Sequence, residues 1–293
     1  MAFHLWYTQW VENKTKGRIL LILAAIFWGL AGVCVKSLSW SPTSIITIRS
    51  IISLIMLGIY KHDFKIHFTK TNVLGALAMS ACGILYIFSI KLTTAGTAIV
   101  LQYIAPILVF LYSVIFQKRK ANPVEVILTF TTFLGCVLSF ADSIDMSHLL
   151  GNTLALLSGF AFAAQIIIMN KKDSDSQDAM MLSNLICFVV CFPTLFFDKG
   201  LIFDTKNIIW ILILSIFQYG LGNILFSVGI KLVDKIEGSL LLTIEPIFNP
   251  IPVAIFCNEK MGHLSILGFV VVLISTTSYS IINDRKDRIL TKK

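Results

Sequence analysis

From residue 18 onward, apolar runs of roughly twenty residues alternate with short polar connectors. The runs begin near Arg18, Thr43, Asn72, Thr97, Val124, Gly151, Ala179, Asn207, Ile236 and His263. A helix rises about 1.5 Å per residue, so about 20 residues cross the hydrocarbon layer. Each run therefore predicts one membrane-spanning helix, and the pattern predicts an all-α, polytopic membrane protein of ten transmembrane helices, segments one to ten. The connectors, such as SLSWSP, KHDFKIHFTK, QKRKANP and NKKDSDSQD, concentrate charge, proline and serine. Residues 1–17 predict a cytoplasmic or interfacial lead-in, where Trp6, Tyr7 and Trp10 suit the headgroup layer.

The runs also repeat. A shift of 140 positions lays Ile90, Lys91 and Leu92 on Ile230, Lys231 and Leu232, Pro106 on Pro246 and Lys120 on Lys260. A shift of 134 lays Gly17, Leu20 and Leu23 on Gly151, Leu154 and Leu157, and sets Trp28 opposite Phe162. The chain then reads as two five-helix repeats, residues 18–141 and 151–282, followed by a basic tail, 283–293. Five is odd, so the copies insert in opposite directions. Inverted repeats allow alternating access about a site near the bilayer midplane.

Charge adds orientation. Charged residues make up 14% of the chain, against about 25% in an ordinary soluble domain. The net +8 gathers at the N-terminus, in the connectors after segments two, four, six and eight, and in the tail. Positive charge resists translocation, so both termini are expected in the cytoplasm, with the chain in the inner or plasma membrane. The basic excess is a topology and lipid-headgroup signal, and no nucleic-acid partner is expected. Cys34, Cys82, Cys136, Cys187, Cys191 and Cys257 all sit in apolar runs and read as packing or lipid-facing residues without metal or redox roles. His4, His62, His67, His148 and His263 lie in connectors or at helix edges, and no aspartate falls inside a predicted span. That excludes the familiar intramembrane hydrolase sites, so no enzyme activity and no cofactor is expected.

Two charges stand alone at depth. Arg49 lies mid-way along segment two, seven residues after Pro42. A guanidinium there costs about 3 kcal/mol or more, so it should face a cavity or a partner. It reads either as counter-ion to an anionic substrate group or as a structural contact to carbonyls. Glu245 lies mid-way along segment nine, in TIEPIFNPIP. Pro246 removes a helical N–H and bends the helix, with Pro250 and Pro252 beyond it and Pro106 in the matching place of segment four. A carboxyl so placed is a candidate proton carrier or a packed neutral acid. Asn249 is one turn on and is expected on the same face. Tyr86, Gln102, Tyr103, Gln165, Gln218, Tyr219 and Asn223 complete a polar set drawn from both halves, with Trp28 and Phe162 as aromatic walls. Gly220 and Gly222 permit close packing or a local break. A few polar groups in a mainly apolar cavity are what orients a small ligand.

Segment four, AIVLQYIAPILVFLYSVIF, segment nine, EGSLLLTIEPIFNPIPVAIFCNEK, the FWG at Trp28–Gly29, and Pro42 followed by Arg49 resemble the drug/metabolite transporter superfamily, EamA type. The resemblance spans about residues 17–282. It implies a ten-helix inner-membrane carrier, commonly an exporter of amino acids, related metabolites or drugs, with a cavity among segments one, three, four, six, eight and nine. The family closes each half with a Gly–Glu type turn; Glu259 fits loosely, and Lys118, Arg119 and Lys120 depart from it. The expected partners are a small-molecule substrate, the bilayer and protons. A non-transporting receptor or assembly protein and a channel stay open as other readings.

Overall fold

The structure is a computed structural model that describes residues 2–139, 141, 146–249 and 263–290. The first half holds α1 (Ala2–Trp28), α2 (Ala31–Ser37), α3 (Pro42–Lys61), α4 (Lys70–Leu92), α5 (Ala95–Gln102), α6 (Ala105–Ile115) and α7 (Pro123–Ser139). The second holds α8 (Leu149–Met169), α9 (Ser176–Cys191), a 3-10 turn at Phe192–Phe197, α10 (Thr205–Leu212), a π-helical stretch at Ile213–Leu221, α11 (Gly222–Leu232), α12 (Lys235–Leu242), α13 (Glu245–Phe248) and α14 (His263–Leu290).

Connector residues start these helices. The Ser41 hydroxyl accepts from the Ser44 N–H and Pro42 opens α3, while Thr69, Thr94, Asp175, Asp204 and Asp234 cap α4, α5, α9, α10 and α12. Each cap satisfies a backbone donor that a helix start leaves free. Among the described residues eight helices are long and apolar enough to cross a membrane. Two predicted segments differ. Segment five is the shorter α7, and segment nine is broken into α12 and α13 before Pro250, Pro252, Cys257 and Glu259, which lie outside the described residues. The break follows from Pro246, which cannot donate to the carbonyl of Leu242. The side chains of Trp6, Tyr7 and Trp10 also lie outside the described ones. Cys34, Cys82, Cys136, Cys187 and Cys191 are free and buried, so they pack inside the bundle and do not face lipid.

The two halves interlock by equivalent contacts. Gly17 lies against Leu232 and Val233, and Gly151 lies against Leu92 and Thr93. Under the shifts of 134 and 140, these are the same contact made twice. The polar contacts repeat as well. Lys36 donates to the Thr93 carbonyl (2.8 Å), and Asn170, its aligned residue, donates to the Val233 carbonyl (3.0 Å). Lys91 donates to the Leu38 carbonyl (2.6 Å), and Lys231 donates to the carbonyls of Lys171 and Ser174. The two sets stand at opposite ends of the bundle, because α1 and α2 run as one span from the Gly17 contact to Lys36.

A Cβ at Gly151 would sit 2.8 Å from the Leu92 backbone carbon, and one at Gly17 would sit 2.6 Å from Leu232 Cβ. Neither neighbour is the end of a flexible side chain. Gly151→Ala and Gly17→Ala are each expected to destabilise by about 1–3 kcal/mol, read as a lower melting temperature of the purified protein in detergent.

The ends differ in chemistry. At the Gly17 end, Arg18 bonds Glu237 (2.6 Å) and both oxygens of Asp284 (2.7 Å each), while Lys14 bonds Asp284 (2.9 Å) and Asn283 bonds Glu237 (2.8 Å). Glu237 is fully buried. There too, Lys61 and His67 both hold Asp178 in the first turn of α9, a carboxylate that the sequence pattern leaves in a connector. The Lys36 end is closed by mostly uncharged bonds: Trp40 to the Ile202 carbonyl, Asn207 to Ser39, and Thr93 to Asn152. Of the carboxylates there, Asp204 caps α10 and Asp198 accepts from the Ser41 N–H (2.9 Å). Burial opposes ionisation of Asp198, but the bonds from Ser44 and Ser41 hold its carboxyl below the usual range.

Candidate functional site

Between the two ends lies a cavity with the mixed polar and apolar lining of a small-molecule site. Its lining draws on both halves: Trp28 from α1, Arg49 from α3, Met79, Cys82, Gly83 and Tyr86 from α4, Gln102 from α5, Phe162 and Gln165 from α8, Gln218 and Tyr219 from the π stretch, Asn223 from α11 and Glu245 from α13. Ten residues singled out by sequence thus meet at one place. Tyr103 and Asn249 do not line it. Tyr103 is fully buried behind Glu245. Asn249 lies one α turn on from Glu245, its N–H bonded to the Glu245 carbonyl (3.0 Å), but its side chain donates to the Gly29 carbonyl (3.1 Å) outside the lining. Pro106 and Pro246 open α6 and α13 as helix bends, and Pro250 is outside the described residues.

Sequence reasoning missed Met79, Cys82 and Gly83. Their signal was helical spacing: Cys82, Gly83 and Met79 sit four, three and seven residues before Tyr86, on its face. Segment two also joins the wall through Arg49, although the family resemblance left it out of the cavity.

The aromatic walls are assembled across the halves. Trp28 meets Phe162 edge-on at 5.8 Å and Phe226 at 5.2 Å, and Tyr103 meets Phe162 edge-on at 6.0 Å. Neither Trp28 nor Phe162 faces lipid. Gly222 lets the Trp28 indole lie against the start of α11, where a Cβ would sit 2.7 Å from the ring. Gly220, two residues back, does the same for Met56, so the Gly pair serves both a packing and a helix-irregularity role around the π stretch. The π register widens that turn and brings Gln218 and Tyr219 to the same cavity.

Arg49 is 2% exposed, and its guanidinium carbon stands 3.8 Å from the centre of the Tyr219 ring. This cation–π contact leaves the in-plane donors free. Nε and Nη2 have no hydrogen-bond partner, and among the described residues no carboxylate pairs with Arg49. Tyr86 Oη, Gln218 Oε1 and Asn223 Nδ2 are likewise buried and unpartnered. A native fold pairs nearly all such groups, so four such side chains around one cavity make it the candidate site.

Glu245 is organised differently. Pro246 has no N–H, so the Leu242 carbonyl lacks its helical donor. Tyr103 Oη supplies one at 2.7 Å, and the same oxygen lies 2.6 Å from Glu245 Oε2. A phenol has a single hydrogen. If it goes to Leu242, the Tyr103–Glu245 bond needs a proton on the carboxyl. If it goes to an ionised Glu245, the Leu242 carbonyl loses its partner. The three groups therefore exist in two hydrogen-bonding arrangements that differ by one proton.

A bundle of apolar spanning helices, two interlocked halves and a polar cavity shared between them define a multi-pass membrane protein of the transporter class. The EamA-like transporter family matches twice, over residues 15–141 and 149–281, and the chain belongs to that family. It is similar to an uncharacterized transporter of Clostridium kluyveri, 24% identical, with 90% of this chain and 93% of the relative covered. It is also similar to the uncharacterized transporter YxxF of Bacillus subtilis, 20% identical, covering 89% and 88%. A crystal structure superposes with a TM-score of 0.78 at 12% identity, covering 92% of this chain and 98% of that one, a likeness of fold alone.

Proposed function

We propose that this transporter moves small organic metabolites, amino acids or related compounds, by alternating access and coupled to protons, with the shared cavity as the substrate site. The observation that carries the proton reading is the Tyr103 hydroxyl held between the Leu242 carbonyl and Glu245. Moving one proton on or off Glu245 switches which bond α12 makes to Tyr103, and so ties the protonation of the cavity to the shape of its broken helix. The titratable groups around Glu245 are Arg49 from α3, Cys82 and Tyr86 from α4, Tyr103 beside it, Tyr219 from the π stretch, and Cys136 on the adjoining α7.

The contacts at the two ends support the access reading. Each end is closed by one copy of the same interlock, so releasing one while keeping the other opens the cavity to one side only. In this reading ten helices form the two inverted halves, 18–141 and 151–282, in the plasma membrane. The Gly17 end, with its lysines and arginines, is cytoplasmic, as are both termini. Outward transport rests on the resemblance to exporters of the family.

Proteoliposomes test this. Purified protein with an imposed pH gradient and a defined metabolite mixture should accumulate or expel specific solutes, and should lose that movement when the gradient is collapsed. Binding without any movement would instead make the protein a receptor, and solute movement indifferent to the gradient would remove the proton from the mechanism.

A further inference from the structure

The fork of Arg49 says more about the ligand than the cavity's size does, and the inference rests on the transport reading above. By the geometry of a guanidinium, Nε and Nη2 lie on one edge and point two N–H bonds in parallel. These are the two nitrogens left without partners. Tyr219 covers the face of the same group, and Gly83, where a Cβ would come 3.1 Å from Nη2, lets α4 lie close beside that edge without adding a side chain to it. A planar, bidentate acceptor fits such an edge, and a carboxylate is that shape.

Charge narrows the class further. Arg49 is the one cation among the lining residues and Glu245 the one carboxyl, so with Glu245 protonated the cavity balances a single negative charge. A phosphate monoester would bring a second negative charge with no cation to meet it, at a depth where an unpaired ion is costly. Beyond the fork, Trp28, Phe162 and Met79 offer an apolar wall that suits a flat or branched body, beside the amides that line the rest of the cavity. We propose that Arg49 is the carboxylate subsite of the transported solute, and that this solute is a small monocarboxylate seated with its carboxylate on the Nε–Nη2 edge and its apolar part against Trp28 and Phe162.

The probe is a defined mixture of aromatic and branched monocarboxylates, the matching primary amides, the matching amines, their α-amino acids, and phosphate monoesters. It is used in two ways: stabilisation of the detergent-purified protein against heat, and accumulation in proteoliposomes followed by mass spectrometry. The wild type should select members bearing one carboxylate over their amides, in both measurements. Arg49→Lys keeps the charge and loses the fork. It should bind those carboxylates about ten-fold to a hundred-fold more weakly, with its elution as a folded protein unchanged. Amides, amines or phosphate monoesters handled as well as carboxylates by the wild type would overturn the subsite, as would an undiminished carboxylate preference in Arg49→Lys. The comparison of carboxylate with amide on the wild type stands even where a variant fails to fold. Carboxylate binding without accumulation leaves the subsite standing and sinks the transport reading. Accumulation of other solutes without carboxylate preference does the reverse, and neither binding nor accumulation overturns both. Selection of the α-amino acids over the simple carboxylates supports the subsite and adds an ammonium partner to it.

Discussion

Glu245→Gln should leave the protein folded and abolish flux driven by a pH gradient, while exchange of solute at equal pH on both sides persists. The amide is nearly the same size as the carboxyl, and its NH2 donates to Tyr103 Oη in place of the acid proton. Tyr103 can then keep its bond to the Leu242 carbonyl, which Pro246 leaves without a helical donor. The variant is thus locked in one of the two hydrogen-bonding arrangements. Proteoliposome flux with and without the gradient, beside a melting curve, separates these effects. Gradient-driven flux equal to wild type would take Glu245 out of the coupling. Tyr103→Phe makes a useful contrast, since it strips both Leu242 and Glu245 of a partner. It should destabilise by about 1–3 kcal/mol as well as impair coupling.

The second large effect is expected at the Gly17 end. Glu237 is fully buried and accepts from Arg18 (2.6 Å) and Asn283 (2.8 Å), with Lys14 at 3.5 Å. Glu237→Gln leaves Lys14 and Arg18 to share Asp284 alone. Removing one member of a buried ionic network costs about 3–5 kcal/mol, because the remaining charges have already lost their water. Asp284 is partly exposed and still bonds both cations, so the loss should fall near the lower figure. Thermal unfolding in detergent measures it, and a variant as stable as wild type would show that the cluster is not a fastening. The same substitution weakens one end of the bundle and leaves the Lys36 end untouched. In the alternating-access reading it should favour the state open at the Gly17 end, detectable as faster thiol labelling of buried Cys82 from that side.

Much of the architecture was legible along the chain. Where helices start and stop is a local matter: a bilayer sets the length of an apolar run, and Ser41, Thr69, Thr94, Asp175 and Asp234 stand where starts need caps. The repeat was legible because equivalent positions kept their glycines and lysines, and the contacts of Gly17 and Gly151 and of Lys91 and Lys231 bear out those pairs. The unusual charges were legible too, since Arg49 and Glu245 stand out against an apolar background.

Hydropathy cannot give the rotation of each helix about its own axis, and that rotation decides which polar groups meet. Asn249 follows Glu245 by one regular turn, yet its amide reaches the Gly29 carbonyl and not the cavity, a contact set by how α13 packs on α1. Tyr103 and Glu245 come from different halves, and no local pattern announces that one hydroxyl will serve both Glu245 and the carbonyl that Pro246 frees. The π stretch needs the fit of Trp28 and Met56 against two glycines. The free edge of Arg49 is likewise a property of the packed bundle. Apolar runs and capping residues act through nearest neighbours and the bilayer, so the sequence alone carries the helices, their repeat and the solitary charges; the cavity's chemistry depends on side chains that only packing brings together.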